Sequence, residues 1–459
     1  MGSTKYEEIA FDFGVEGLDE YYPRILVPGT LIAIAGHPGS GKTTLAAQIC
    51  YSNAVKGKKC LIVSTQESEE KFLKFMVRFG FNFEPLIVSD RFRFARLPLI
   101  SSEEALDGFL EALNSLILEF RPQIIVIDSI TPIAKVIAND ARRRALIQNY
   151  FYNVAFDVKG LIILIAEIPL GKTVIENSGD IEFIADGIII LKHEPEYGLL
   201  SRKIEIRKLR GAPLEAAEFP FAIKAPGGIV ILAPPKLETL SASWKSRKPF
   251  KLECKILEEV LGELHSGDIV LLAGPPYRMP LDSILKWISE VGLKNNAKIL
   301  MITYKSLEDE VREALWKISE KLGRPDLPGR FNVVALNPAE ISPEAIFSVE
   351  IGLLSSESPD IAVFHGVETL NYIYKRYAGV LEKYLKIESL MIKKLNALTF
   401  RIASIIDLED VELEMALADA GILVGDPVTG LLGNNIIIYK TGERARRYVG
   451  APADLEPCF

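Results

Sequence analysis

The segment Gly36-His37-Pro38-Gly39-Ser40-Gly41-Lys42-Thr43 fits the pattern G-x-x-x-x-G-K-[ST] at every position. Apolar residues 31–35 lead into it and predict a strand, and good helix formers follow from Thr44 onwards. A glycine-rich turn between a strand and a helix directs backbone N–H groups towards phosphate oxygens. The segment therefore predicts an α/β fold that carries a phosphate-binding loop.

The loop also predicts which side chains hold a nucleotide and its metal ion. Lys42 is expected at the β- and γ-phosphates, and Thr43 is expected to ligate Mg²⁺. The predicted nucleotide-binding residues are Gly36, His37, Pro38, Gly39, Ser40, Gly41, Lys42, Thr43 and Thr44.

A second strand ends in a carboxylate. Residues 124–127 are apolar and Asp128 follows them. An Asp at the end of a strand is usually a turn residue, but ligands of open α/β sheets collect at the carboxyl ends of the strands. Together with the phosphate loop, Asp128 is predicted to be the second Mg²⁺ ligand beside Thr43.

The composition predicts a soluble, multidomain, cytoplasmic protein. The chain has 459 residues, of which 49% are hydrophobic and 25% charged, a balance typical of globular proteins with two or three domains. No apolar run approaches the roughly 18 residues that a membrane span requires, and we expect no membrane partner. The four cysteines lack C-x-x-C spacing, so we expect reduced thiols. Scarce glutamine with plentiful Lys and Glu favours a thermophilic source.

The charge balance argues against nucleic acid as the main partner. The net charge is −8, and neither half of the chain is basic. The one dense basic cluster is residues 142–144, and we favour an exposed helix face over a DNA contact for it.

The chain repeats itself at an offset of 238 or 239 residues around the phosphate loop and of 237 residues at Asp128. Residues 266–274, 281–291 and 298–304 correspond to the first strand, helix and second strand around the phosphate loop, and residues 359–365 align with 122–128. We predict a domain over 1–235, a polar linker over 236–250 and a degenerate copy over 251–459. An unrelated α/β module in the second half stays open as an alternative.

The second copy has lost the residues that the first would use. Met279, Pro280 and Leu281 stand where the first copy has Gly41, Lys42 and Thr43, and His365 replaces Asp128. Pro280 also removes a backbone donor at the helix start. We therefore predict a second domain without functional phosphate and Mg²⁺ ligands.

Several motifs together resemble one branch of the phosphate-loop proteins. They are Gly14-Val-Glu-Gly17-Leu18-Asp19, Glu67 just after the second strand, Asp128-Ser129, and Lys208-Leu-Arg210-Gly211. Residues 14 to about 232 resemble the RecA-superfamily ATPases of the KaiC type. The resemblance implies two tandem RecA-like domains, each a mostly parallel sheet flanked by helices, with ATP and Mg²⁺ as cofactors.

The resemblance also implies catalytic roles. Glu67 stands where the family has the carboxylate that polarises the attacking water, although a helix-capping role is the alternative. Gln66 replaces the first glutamate of the usual pair. Glu167 stands at the γ-phosphate sensor, with a structural capping role as the alternative. Lys208 and Arg210 match the pair that reaches a neighbour's γ-phosphate, which implies a homo-oligomeric, hexameric ring.

Three functions remain open from the sequence. The first is a slow ATP-hydrolysing ring that acts as a switch or scaffold, with a protein regulator docking on the second domain. The second is a DNA-binding recombinase paralogue that uses residues 142–144 and Lys172. The third is an adaptor with negligible turnover. Autophosphorylation is not favoured, because Glu182 and Phe183 occupy the family's Ser-Thr positions, although Ser178 lies near.

Overall fold

Two sheets with the same strand order organise the chain. The computed structural model describes residues 10–98, 100, 102–137, 139–168, 181–196, 199–213, 218–235, 237–252, 254–375, 378–405, 407–428, 430–442, 446–455 and 458. The chain divides into a first unit, Met1–Ala233, and a second unit, Pro234–Phe459. Both units are α/β, as the motifs predicted, and they are tandem RecA-like domains.

The first unit contains a nine-stranded sheet. Its strands are β1 (Thr30–Gly36), β2 (Cys60–Ser64), β3 (Phe92–Arg96), β4 (Ile124–Asp128), β5 (Leu161–Glu167), β6 (Gly187–Glu196), β7 (Leu199–Leu209), β8 (Glu218–Lys224) and β9 (Gly228–Ile231). Its helices are α1 (Leu18–Tyr21), α2 (Lys42–Val55), α3 (Glu69–Arg78), α4 (Glu84–Val88), α5 (Glu103–Phe120), α6 (Thr131–Val136), α7 (Asp140–Leu146), α8 (Tyr152–Asp157) and α9 (Ile181–Ile184). A π-helical turn, Ile147–Phe151, joins α7 to α8.

The strand order is β3-β2-β4-β5-β1-β6-β7-β8-β9. The six strands β3, β2, β4, β5, β1 and β6 are parallel to one another. Strands β7, β8 and β9 continue the sheet with antiparallel pairing. The central parallel strands β1, β2, β4 and β5 are almost wholly apolar and buried, because both faces of the sheet are covered there. Ile32 and Ile34 belong to one core cluster, and Leu31 and Ala33 belong to the other.

The second unit contains an eight-stranded sheet and a two-stranded one. Its strands are β10 (Pro249–Phe250), β11 (Leu264–His265), β12 (Ile269–Gly274), β13 (Ile299–Thr303), β14 (Phe331–Ala335), β15 (Ile361–His365), β16 (Leu398–Ser404), β17 (Ala420–Val424), β18 (Ile436–Lys440) and β19 (Arg446–Gly450). Its helices are α10 (Leu237–Lys245), α11 (Lys255–Leu261), α12 (Leu281–Lys294), α13 (Glu308–Leu322), α14 (Pro343–Glu357), α15 (Glu368–Ile373), α16 (Ala378–Leu395) and α17 (Glu412–Leu417).

The order of the larger second sheet, β14-β13-β15-β16-β12-β17-β18-β19, reproduces that of the first from β3 to β8. The registers also correspond: Gly36 pairs with Glu167 in the first unit, and Gly274 pairs with Ser404 in the second. This agreement confirms the internal repeat that the sequence offset predicted, and an unrelated module in the second half is therefore the wrong interpretation.

Two expectations about the second half need correction. The segment 236–250 was expected to be a linker, but Leu237–Lys245 form α10, and Ser243 Oγ donates to the carbonyl of Lys394 at 2.8 Å. The polar residues of this segment suggested a linker, but they belong to an amphipathic helix that packs on α16. Cys254 and Cys458 were expected as thiols but form a disulfide, with Cα atoms 5.2 Å apart. The two cysteines are 204 residues apart, so no local spacing pattern indicated that they would pair.

A buried arginine lies between the second sheet and its helices. Arg401 on β16 donates from Nη1 to Glu388 Oε2 at 2.7 Å and from Nη2 to Glu414 Oε1 at 3.0 Å. Nearby, Tyr304 donates its hydroxyl to Glu350 Oε1 at 2.6 Å. Burial and the neighbouring Glu388 raise the pKa of Glu350. Removing this buried guanidinium would leave two buried carboxylates without a cation, which destabilises a folded protein.

We expect Arg401→Met to destabilise the second unit by about 3–5 kcal/mol, because Glu388 and Glu414 would stay buried without a cation. All three tryptophans, Trp244, Trp287 and Trp316, lie in the second unit, so fluorescence during urea unfolding reports on that unit alone. Lys317→Met, which removes an exposed ion pair with Glu313, is the control and should leave the midpoint nearly unchanged. Equal shifts in both variants would contradict the prediction.

Candidate functional site

The phosphate loop lies between β1 and α2, as predicted. Gly36 ends β1, and a Cβ there would meet the carbonyl oxygen of Leu191 at 2.4 Å and Ser40 Oγ at 2.6 Å. Gly39 and Gly41 have φ angles of 79° and 101°, which favour glycine. The loop therefore needs glycine both for its backbone angles and for its close approach to β6.

Lys42 begins α2 and folds back over the loop. Its Nζ donates to the carbonyl of Gly36 at 3.0 Å and to that of His37 at 2.9 Å. Burial lowers the pKa of Lys42, while the carboxylates of Glu167 and Asp128 act in the opposite direction. The ammonium group is therefore held against carbonyl oxygens of the loop, where the charges of two carboxylates act on it.

Thr43 and Asp128 meet directly. Thr43 Oγ1 donates to Asp128 Oδ2 at 2.7 Å. Burial raises the pKa of Asp128, and the bond from Thr43 and the charge of Lys42 oppose that rise. The hydroxyl of Ser40, within the loop, is buried without a partner among the described residues. A hydroxyl and a carboxylate at a phosphate loop with an unsatisfied donor fit Mg²⁺ and a phosphate chain.

Glu67 lies at the same edge of the sheet. Ser64, the last residue of β2, pairs with Asp128, and its Oγ accepts from the backbone N–H of Glu67 at 3.0 Å. The helix α3 is capped instead by Ser68, whose side chain accepts from the N–H of Lys71. Glu67 precedes that cap and is half-buried, so it is not the N-cap residue of α3, although its carboxylate lies 3.6 Å from Lys71 Nζ in the first turn of that helix. Its charge acts on Asp128.

Glu167 ends β5 opposite Gly36. Its backbone N–H donates to Thr131 Oγ1 at 2.8 Å, and its carboxylate acts on Lys42. The next residue, Ile168, bonds back to the loop: its N–H donates to the carbonyl of Gly36 at 3.0 Å. Strand pairing thus brings Glu167 beside the loop.

His193 was missed by the sequence analysis. It lies on β6, two residues beyond Leu191, and its ring stands edge-on to that of His37 with centroids 6.3 Å apart. Burial lowers the pKa of His193, with further lowering from His37 and Arg202. Only the pairing of β6 with β1 brings the two rings together, so no local motif could have indicated it.

The segment 208–210 lies far from the loop of its own chain. Leu209 pairs with Gly187 on β6, and Gly187 in turn pairs with Ile32 on β1. Ile32 precedes Gly36 by four residues, which correspond to about 13 Å along a strand. The segment therefore lies towards the edge where β1 begins, whereas the loop lies where β1 ends.

Local bonds hold both cations at that far edge. Arg210 Nη1 donates to Asp186 Oδ1 at 2.9 Å, and Lys208 Nζ donates to the carbonyl of Glu182 at 3.2 Å. The Arg210 side chain remains 61% exposed. Burial, followed by the charge of Arg210, lowers the pKa of Lys208. The structure thus gathers Lys42, Asp128 and the glutamates at one edge, and Lys208 and Arg210 at the other.

The second unit keeps the geometry of the site without its chemistry. Thr303 at the end of β13 accepts from the N–H of Ser306 at 3.1 Å, as Ser64 does for Glu67. His365 takes the place of Asp128 and its Nδ1 lies 3.0 Å from Thr303 Oγ1. Burial lowers the pKa of His365 to about 4, so it is neutral at pH 7.

The second loop is closed by an apolar side chain. Met279, at the place of Gly41, is buried, and a Cβ on Gly274 would meet its Sδ at 2.9 Å.

Two residues of the alternative hypotheses, Lys172 and Ser178, lie outside the described residues.

The first unit is a phosphate-loop ATPase domain with the RecA fold. The family model for the KaiC ATPase matches residues 11–236. The first half of this chain accordingly belongs to the KaiC-like ATPases of the RecA superfamily.

Curated relatives agree with this assignment. The circadian clock oscillator protein KaiC of Synechococcus elongatus is 28% identical over 216 residues, which cover 46% of this chain and 41% of that protein. KaiC of Thermostichus vulcanus is 27% identical over 200 residues, covering 43% and 38%. KaiC3 of Synechocystis is 24% identical over 209 residues, covering 45% and 41%. The chain thus spans about two fifths of the length of these relatives.

We expect Thr43→Val to lower the affinity for ATP in the presence of Mg²⁺ by about 10- to 100-fold, because a ligand to a charged group is lost. Affinity for ATP in EDTA should barely change, since the loop N–H groups and Lys42 remain. Calorimetric titration under both conditions checks this. An equal loss with and without the metal would show that Thr43 only supports the loop.

Proposed function

We propose that this protein binds and hydrolyses Mg-ATP at the first unit, within a homo-oligomeric ring, and acts as a slow nucleotide-dependent switch or scaffold. The observation that carries the proposal is the separation of the site into two halves. The loop, Asp128 and Glu67 lie at one edge of the sheet, and Lys208 and Arg210 lie at the other. A neighbour in a ring would join the two halves.

Each side chain then has one role. Residues 36–44 would hold the phosphates through backbone N–H groups, with Lys42 at the β- and γ-phosphates. Thr43 and Asp128 would hold Mg²⁺, which when bound neutralises charge that develops on the phosphoryl oxygens. Glu67 would accept a proton from the attacking water. Glu167, beside Lys42, would sense the γ-phosphate.

Slow turnover is part of the proposal. Gln66 stands where the family has a glutamate, so one carboxylate fewer is available near the water. Arg210 is held by Asp186 within its own chain, and this ion pair has to exchange before Arg210 reaches a neighbour's phosphate. An isolated subunit would then be nearly inactive, because an arginine supplied in trans contributes about 10³- to 10⁵-fold in rate.

The second unit would serve as a structural partner and not as a second ATPase. Met279 blocks its loop, and His365 replaces the carboxylate. We propose that it widens the ring, which we take to be hexameric, and offers a docking surface to a protein regulator. DNA binding and an adaptor without turnover have no additional support from the arrangement of the described residues.

A cytoplasmic location in a thermophile completes the proposal. ATP, the substrate, is abundant in the cytoplasm. None of the helices in the described part of the chain is long and apolar enough to cross a bilayer. A disulfide such as Cys254–Cys458 is unusual in the cytoplasm of mesophiles but common in intracellular proteins of hyperthermophiles.

We expect Glu67→Gln to reduce phosphate release by about 10²- to 10⁴-fold while ATP binding is retained, because the amide cannot accept the proton of the water. Glu70→Gln, on the exposed first turn of α3, is the matched control and should behave as wild type. Malachite-green phosphate release and equilibrium binding on the same samples check this. Normal turnover in Glu67→Gln would remove the general-base role.

We expect Lys42→Ala and Arg210→Ala each to lose hydrolysis, but for different reasons. Lys42→Ala should lose ATP binding, whereas Arg210→Ala should bind ATP and lose about 10³-fold or more in rate. Mass photometry with and without Mg-ATP, combined with phosphate release, checks this. A monomer that hydrolyses ATP regardless of Arg210 would disprove the shared site.

A further inference from the structure

A cleft of about 600 Å³ lies beside Arg210 in the first unit. It is lined by Arg144, Gln148, Tyr152, Ile184 and Arg210. Its volume is in the range of about 300–1,000 Å³ that small-molecule sites occupy. Two guanidinium groups, a carboxamide and a phenol provide hydrogen-bond donors, and none of these lining residues is acidic. The cleft is therefore suited to an anion.

The lining side chains come from the helical segment that runs from α7 to α8, from Ile184 at the end of α9, and from Arg210, which directly follows β7. Arg144, Gln148 and Tyr152 are spaced by four residues along α7, the π-helical turn and α8, so they share one face. Arg144 and Gln148 are exposed, and Tyr152 is half-buried. Arg210 completes the cleft from the end of β7, where its ion pair with Asp186 is exposed enough to exchange.

We propose that this cleft receives the nucleotide-bearing loop of a second copy of the chain, with Arg144 as a second cation beside Arg210 at the neighbour's phosphates. The inference rests on the proposed function, because it requires a neighbour's ATP. The subunit's own loop lies at the opposite ends of the strands, so a phosphate chain bound to that loop would not enter this cleft. Two guanidiniums suit a triphosphate, because planar N–H groups can bond two oxygens at once.

Arg142 provides a matched control on the same helix. It is exposed but does not line the cleft, and a position two residues from Arg144 points to a different side of the helix. We expect Arg144→Ala to lower kcat about 10- to 100-fold, the effect of losing hydrogen bonds to a charged group. Arg142→Ala should hydrolyse ATP as wild type, and Arg144→Lys should recover part of the rate.

Rings that contain two different variants test whether Arg144 acts on a neighbour's ATP or within its own subunit. Lys42→Ala subunits cannot use their own loop but carry intact Arg144 and Arg210. Co-expression of Lys42→Ala with Arg210→Ala should regain activity, and so should co-expression of Lys42→Ala with Arg144→Ala. Co-expression of Arg144→Ala with Arg210→Ala should regain none, because every shared site then lacks one of the two cations.

The outcomes distinguish this inference from the proposed function. If Lys42→Ala and Arg210→Ala fail to complement each other, the shared site itself is wrong. If they complement each other but Arg144→Ala is not rescued by Lys42→Ala, Arg144 acts within its own subunit and the inference falls. Normal hydrolysis by Arg144→Ala also overturns it, and weakened binding of a single-stranded oligonucleotide by that variant would then assign the cleft to DNA.

Discussion

Hydrogen bonds on both sides of β1 hold the strand that leads into the phosphate loop and align its neighbours with that loop. Pairing with β5 places Glu167 level with Gly36, and pairing with β6 places Leu191 there. A slip of one residue would turn every side chain of β1 to the other face of the sheet, where it would meet the wrong core. The same register carries the segment 208–210 to the opposite ends of the strands, away from the phosphate loop of its own chain.

The two units share a fold although the residues at the ends of their strands differ. The hydroxyl at the end of β2 and the hydroxyl at the end of β13 hold the same turn, although the residue in that turn is Glu67 in one unit and Ser306 in the other. Backbone bonds and apolar strands determine the turn, and they are indifferent to the side chain that it presents. The second sheet accordingly keeps the strand order of the first, although Met279 and His365 stand where the first unit has Gly41 and Asp128.

Contiguous motifs made much of this structure predictable. The phosphate loop and Asp128 depend on a few adjacent residues and a strand end, and the repeat depends on matching patterns of many residues. What depended on distant pairing was not predictable: the meeting of His37 with His193, the disulfide across 204 residues, and the position of Arg210 at the far edge. The amphipathic helix within the expected linker was missed because its serines and small residues are also typical of connecting segments.

Arg401 affects whether strands can be exchanged between the two similar sheets during folding. It occupies the place on β16 that Leu164 has on β5, where the surrounding cluster of the first unit is apolar. Tandem domains of one topology can exchange equivalent strands while they fold, which produces misassembled chains. A β16 strand inserted into the first sheet would bury a guanidinium without Glu388 or Glu414. The ionic cluster thus disfavours insertion of β16 into the first sheet.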